Sequence, residues 1–221
     1  MNIAAIDTET ASKEGGMIEF AAVSENFNTS FMCDPGVDIQ FEAMAVHHIT
    51  PADIDGAISE DDAMARITSF GFNCFIAHNA AFDSKVLSGL DVEWICTLKL
   101  ANRFYPDAPS YKLQVLRYWL NLELGDIVDG LVPHRALYDA WFCWQLYLQM
   151  KREFGFSDED AVEISSEPML VRTMPFGKHR GKPMSEVAFD LDYCEWLYRN
   201  VDLSDDINFS IEHFRELSNE S

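Results

Sequence analysis

Apolar residues run without a break from Ile3 to Ile6 and stop at Asp7, the pattern of a short strand buried on both faces. Met17–Ser24 and Phe27–Cys33 read as two further strands, joined through Glu25-Asn26 as a hairpin. Ser59 before Glu60-Asp61-Asp62 is an N-cap followed by a first turn of acids, which predicts a helix to about Phe70. Asn73–Ala77 is a compact apolar strand. Asn79 stands where it can cap a helix over 80–87, and Gly89 lies just past that helix's end. Trp94–Cys96 predicts a strand, with a helix after it through Phe104. Leu113, Leu116 and Leu120 form one stripe of a helix over 112–120. Arg135–Arg152 reads as a long helix whose Trp141, Phe142, Trp144 and Tyr147 are core residues.

Strands alternating with helices predict an α/β layer fold, a mixed sheet flanked by helices. The pattern weakens in the acidic stretch 153–167, read as a linker between a domain over 1–152 and a small C-terminal extension over 168–221. The extension opens on a glycine-containing turn, Met174 to Pro183, and continues in two helices near Asp190–Arg199 and Asp205–Leu217.

Composition narrows the class. Hydrophobic residues make up 48% of the 221, which supports a large core and argues against disorder. No run reaches the roughly 18 to 20 apolar residues of a membrane span. No basic segment leads into an apolar one at the N-terminus, so no secretory signal is expected. Cysteines 33, 74, 96, 143 and 194 are odd in number and scattered, which suits reduced thiols in a cytoplasm. The net charge of −21 excludes a generally phosphate-binding surface. One segment departs from it: Pro168–Ser185 holds no acid, and Arg172, Lys178, Arg180 and Lys182 make it +4.

The candidate chemistry begins where the first strand ends. Asp7 and Glu9 are two apart, so on a strand they share a face, and two like charges that close demand a proton or a cation. Asp83 sits early in the helix after Asn79, where alone it would be an ordinary first-turn acid. Asp139 lies in a largely apolar helix, where an acid is costly to bury without a partner. His134 is five residues before it, about 500° of helical rotation, so the two do not share a helix face and His134 belongs to the loop led by Pro133. Four carboxylates without a cysteine cluster suit hard cations such as Mg²⁺ or Mn²⁺ over zinc.

Taken together, D-x-E at 7–9, A-H-N-x-x-F-D at 77–83 and H-x-x-x-x-D at 134–139 resemble the three motifs of the DEDDh, or DnaQ-like, 3′-5′ exonucleases of the ribonuclease H-like fold. The resemblance covers roughly residues 1–150, with Ala45–Thr50 also family-like. It implies a two-metal phosphodiester hydrolase. Asp7 would bridge two Mg²⁺ ions, for which Mn²⁺ can substitute. Glu9 and Asp139 would complete the site of the attacking water, Asp83 would support the second ion, and His134 would be the general base. Thr8, Thr10, His47 and Phe82 become candidate substrate contacts, against core or structural roles for Phe82 and His47. The basic turn and the Trp196-Leu197 helix resemble the extension of a DNA-directed branch of the family, which makes Lys178, Arg180 and Lys182 candidate contacts to the strand upstream of its 3′ end. The expected partner is a DNA 3′ end, single-stranded by preference, in DNA repair or processing; a homodimer is expected from the same resemblance. The polar loop Ala11–Glu14 lacks a bulky apolar wedge, which predicts weaker action on duplexes. The motifs leave open an RNA-trimming exonuclease and a catalytically inactive nucleic-acid-binding module.

Overall fold

The computed structural model describes residues 1–123 and 129–219, which divide into two compact units, 1–165 and 166–221. In the first, β1 (Ile3–Ser12), β2 (Gly15–Ser24) and β3 (Phe27–Asp34) form an antiparallel meander. Next come α1 (Phe41–His47), β4 (Ile58–Ser59), α2 (Glu60–Ser69), β5 (Cys74–Ala77), α3 (Ala80–Val86), β6 (Glu93–Cys96) and α4 (Thr97–Phe104). Helices α5 (Leu113–Trp119), α6 (Ala136–Phe154) and α7 (Asp158–Ser166) follow. The sheet order is β4-β3-β2-β1-β5-β6, with β5 parallel to both β1 and β6. This is the mixed, helix-flanked sheet that the alternation of patterns predicts.

Alternation along β1 divides the core. Ala4 and Ile6 pack with Ala63 and Ile67 of α2 and Ala80 of α3 on one face. Ala5 packs on the other with Leu100 and Ala101 of α4, Leu113 and Leu116 of α5, and the apolar stripe of α6. The face that carries Ala5 also carries Asp7 and Glu9, so the two acids emerge toward α6.

Helix boundaries follow local chemistry, with three departures from the sequence reading. Ser59 caps α2 as expected, its hydroxyl accepting the Asp62 N–H at 3.1 Å. Asn79 occupies the N-cap position of α3 in the left-handed region (φ 71°), but its side chain caps nothing. Residues 41–47, unassigned by pattern, form the short helix α1, and the stretch read as a linker, 153–167, contains α7. Ser157, whose hydroxyl accepts the Asp160 N–H at 3.0 Å, starts α7, and the Ser165 hydroxyl near its end accepts the Cys96 N–H at 2.8 Å.

The second unit consists of the turn Met174–Pro183, closed by hydrogen bonds of 2.9 Å from Met174 N to Lys182 O and 2.8 Å from Gly181 N to Met174 O. Helices α8 (Met184–Val187), α9 (Leu191–Asn200) and α10 (Asp205–Asn219) complete it. Its own core includes Met174, Met184, Val187, Tyr193, Leu197 and Ile211.

Candidate active site

At the end of β1, Asp7 pairs across the sheet with Ala21 and Glu9 with Glu19. The register then shifts between Glu9 and Thr10, where Ile18 of β2 is the extra residue, so the pairing changes just past the second acid. Asp139 comes from the first turn of α6 and is buried. One carboxylate oxygen each from Asp7, Glu9 and Asp139 lies within 4.8 Å of the other two. Three of the four predicted acids therefore converge. Asp83 stands outside that group and is held beside it by Thr8, whose N–H and hydroxyl both donate to Asp83 Oδ1, at 3.1 and 2.8 Å.

Asp139 is fixed from both sides. Its Oδ2 accepts the backbone N–H of His134 at 2.8 Å, and its Oδ1 accepts from Gln114 Nε2 of α5 at 2.7 Å. His134 is exposed and left-handed (φ 64°), on the loop before α6 as its spacing from Asp139 requires. The start of α6 is tied to the sheet by Glu19 of β2. That carboxylate accepts two hydrogen bonds from Arg135, at 2.9 and 3.1 Å, and a third from the Ala136 N–H at 3.0 Å. It fills the N-terminal capping role that no side chain within the helix supplies.

The electrostatics follow from burial and crowding. Asp7 is pushed well above the ordinary carboxylate range by desolvation, then by Asp83, Asp139 and Glu9. Glu9 is pushed up to about 9 by desolvation and then by Asp139 and Glu19. Asp83 rises to about 7 through burial, against the two hydrogen bonds from Thr8 that favour its anion. Asp139 rises for the same reason, against the His134 N–H. Such a cluster is held together by protons or by a cation. Its donors are all carboxylate oxygens, the set that hard divalent ions take, so Asp7, Glu9 and Asp139 fit a metal.

The other predicted residues separate by burial. Thr8 serves Asp83, and the buried Thr10 donates its hydroxyl to Ser12 O at 2.7 Å. His47 is buried, its Nδ1 accepts the Ile49 N–H at 2.9 Å, and its Nε2 has no hydrogen-bond partner among the described residues. Phe82 is half-buried and belongs to none of the core clusters of the described residues. Lys178, Arg180 and Lys182 are exposed on the turn of the second unit. His78, inside the middle motif, joins Thr97 Oγ1 at 3.0 Å to Tyr111 O at 2.8 Å, and burial lowers it to about 4. It is a neutral strut, with Nε2–H donating to the carbonyl. Gln114, Glu19 and Arg135 were not found from sequence. The available signal was Glu19, an acid inside the apolar strand Met17–Ser24, where burial requires a partner.

Comparison with known proteins gives concordant results. Residues 4–147 match the family described as Exonuclease (RNase_T). Exodeoxyribonuclease 10 of Escherichia coli strain K12 is 35% identical over 219 residues, 96% of this chain and 97% of that protein. A solved structure described as exonuclease X in complex with 5′ overhanging duplex DNA aligns with a TM-score of 0.69 at 32% identity, covering 74% of this chain and 99% of its own. E. coli exonuclease I in complex with a dA16 oligonucleotide aligns at 0.54 with 18% identity over 73% of this chain and 42% of that one, a likeness of fold alone.

Proposed function

The chain belongs to the exonuclease (RNase_T) family, and from that premise we propose that it is a metal-dependent 3′-5′ exodeoxyribonuclease of the exodeoxyribonuclease X type, releasing nucleoside 5′-monophosphates from DNA 3′ ends. The observation that carries this reading is the convergence of Asp7, Glu9 and Asp139 within 4.8 Å, in a cluster whose repulsion a cation relieves. The near-full-length similarity to an exodeoxyribonuclease supports DNA over RNA as the polymer.

In this reading Asp7, Glu9 and Asp139 would hold Mg²⁺, with Asp83 supporting a second ion. Bound there, the ions would supply water activation and charge stabilisation at the phosphoryl group and the leaving 3′ oxygen. Gln114 and the His134 N–H aim the two oxygens of Asp139. Thr8 does the same for Asp83. His134, exposed on a loop at the mouth of the cluster, takes the proton of the attacking water. Phe82 offers an aromatic face to the terminal nucleotide, and Lys178, Arg180 and Lys182 hold the upstream strand. The five cysteines are free and buried, which supports a reducing, cytoplasmic site of action. Among the described residues no helix is long and apolar enough to cross a membrane. The reading includes a homodimer, which light scattering on the purified chain tests.

The functional test is a time course on 5′-labelled single-stranded DNA, 3′-overhang DNA and RNA, with Mg²⁺, Mn²⁺ or EDTA. A metal-dependent ladder shortening from the 3′ end on DNA is expected. Faster shortening of RNA transfers the reading to the RNA-trimming relatives. Binding without cleavage under every metal makes the chain an inactive nucleic-acid-binding module.

A further inference from the structure

The second unit has a cavity of its own, about 460 Å³, lined by Gly177, Lys178, Asp190, Asp192, Tyr193 and Trp196. Two aromatic rings stack there: Tyr193 and Trp196 have centroids 6.0 Å apart and planes within 13°. Tyr193 is 7% exposed and belongs to the unit's core, whereas Trp196 is 52% exposed and belongs to none of its clusters. Leaving half an indole in water forfeits burial that a unit this small can ill spare, so core packing does not account for Trp196.

The turn is fitted against this stack. His179 meets Tyr193 edge-on at 4.5 Å, and Lys178 Nζ lies 5.5 Å from the same ring's centroid. At Gly177 (φ 70°) a Cβ would come within 2.5 Å of Tyr193 Oη, so glycine is required where the backbone passes the ring. Tyr193 Oη is itself buried without a hydrogen-bond partner among the described residues.

The charges are arranged to one side. Asp190 is already engaged, by His179 Nε2 at 2.7 Å and Lys178 Nζ at 3.3 Å, and it caps α9 by accepting the Tyr193 N–H at 3.1 Å. Asp192 is exposed on the helix side of the cavity. On the turn side, Arg180 and Lys182 are exposed with no acid in ion-pair distance among the described residues. An aromatic stack lined by Lys178, on a turn that also carries Arg180 and Lys182, suits a single strand, since bases supply π-faces only when unstacked and phosphates need positive charge.

We propose that this cavity of the second unit is a single-strand contact site, built from residues other than the carboxylates. One base stacks on Trp196, backed by Tyr193, and the adjoining phosphates run along Lys178, Arg180 and Lys182. The proposal rests on the nucleic-acid reading of the carboxylate site, but its test is independent of cleavage.

The test uses the full chain in EDTA, with a fluorescent single strand of about 20 nucleotides, longer than the roughly 4–16 nucleotides that a single-strand-binding OB-fold covers. Trp196→Ala is expected to weaken binding about tenfold and Trp196→Phe to preserve most of it. Arg180→Gln is expected to flatten the salt dependence of log Kd by about 0.7, one phosphate's worth. In parallel, Mg²⁺-dependent hydrolysis of a labelled trinucleotide by the wild type reports on the carboxylate site. Wild-type affinity in a folded Trp196→Ala variant would overturn the platform. Failure of the wild type to cleave the trinucleotide would instead count against the exonuclease reading, and the binding comparison would still decide the platform.

Discussion

Glu19 and Arg135 are 116 positions apart in the chain and joined by two hydrogen bonds, beside the strand end that carries Glu9. The pair fastens the start of α6 to β2, and the same carboxylate accepts the Ala136 N–H. Because α6 delivers Asp139 and the loop before it delivers His134, Glu19 sets the separation of the two halves of the site. Glu19→Ala leaves a buried N–H and part of a guanidinium without partners and is expected to cost about 1–3 kcal/mol. That corresponds to a fall in Tm of about 2–4 °C per kcal/mol. Glu19→Gln keeps one oxygen for the Ala136 N–H and is expected to lose less. Thermal unfolding of both variants checks the order, and an Ala variant as stable as wild type would contradict it.

Gln114 is the only side chain shown bonding an oxygen of Asp139 among the described residues. Groups that orient a metal-binding carboxylate typically contribute 10–100-fold in metal affinity or activity. Gln114→Ala is therefore expected to lower activity by about tenfold at limiting Mg²⁺ and to recover most of it at high Mg²⁺. Asp139→Asn is expected to lose more than about 100-fold, without recovery. Mg²⁺ titrations of the two variants side by side distinguish a supporting group from the ligand it supports.

His134 and Asp139 meet through the histidine's backbone, which leaves the imidazole free to act. The residue is left-handed, so asparagine is the replacement that keeps the loop. His134→Asn is expected to reduce kcat by about 10²–10⁴, the range of a lost general base. The stabilisation of the protein by Mg²⁺ is expected to survive, because no carboxylate is removed. Loss of the Mg²⁺-induced shift in Tm would assign His134 to the metal site instead.

The acids were legible in the sequence because their chemistry conflicts with their surroundings. Asp7 ends an apolar strand, Glu9 repeats its face, and Asp139 interrupts an apolar helix. Helices and strands with a clear apolar period were legible for the same reason. What pattern could not show was held by contacts distant in sequence. Gln114 lies 25 residues from Asp139, and an amide on an amphipathic helix reads as surface. Helix α7 buries only Ala161 fully and so lacks a stripe strong enough to announce it. The Glu9–Thr10 bulge comes from the pairing with β2, which no single-strand pattern records. Asn79 has the residue type of a cap, yet its left-handed backbone leaves the side chain without that bond.

The crowded carboxylates make the metal-free protein sensitive to pH in a definite direction. Glu9 ionises near 4.5 in the unfolded chain and near 9 when folded, and Asp83 moves from 3.8 to about 7. Below both unfolded values neither state is charged and folding bears no penalty. Between those limits the folded state binds more protons than the unfolded one, so stability falls as pH rises. Groups shifted the other way offset only part of this: Asp190, lowered to about 2 by His179 and then by the Tyr193 N–H, is ionised in both states throughout that window, and His78, lowered from 6.5 to about 4 by burial, opposes the decline only below about pH 6.5. A cation needs the ionised carboxylates, so its binding releases protons and tightens over the same range. In EDTA, Tm is expected to decline from about pH 5 to about pH 9, and the gain in Tm on adding Mg²⁺ to grow across it. Glu9→Gln removes the largest of the two titrations and is expected to flatten the decline in EDTA. A Glu9→Gln variant with the wild-type slope would show that the cluster does not carry the pH dependence.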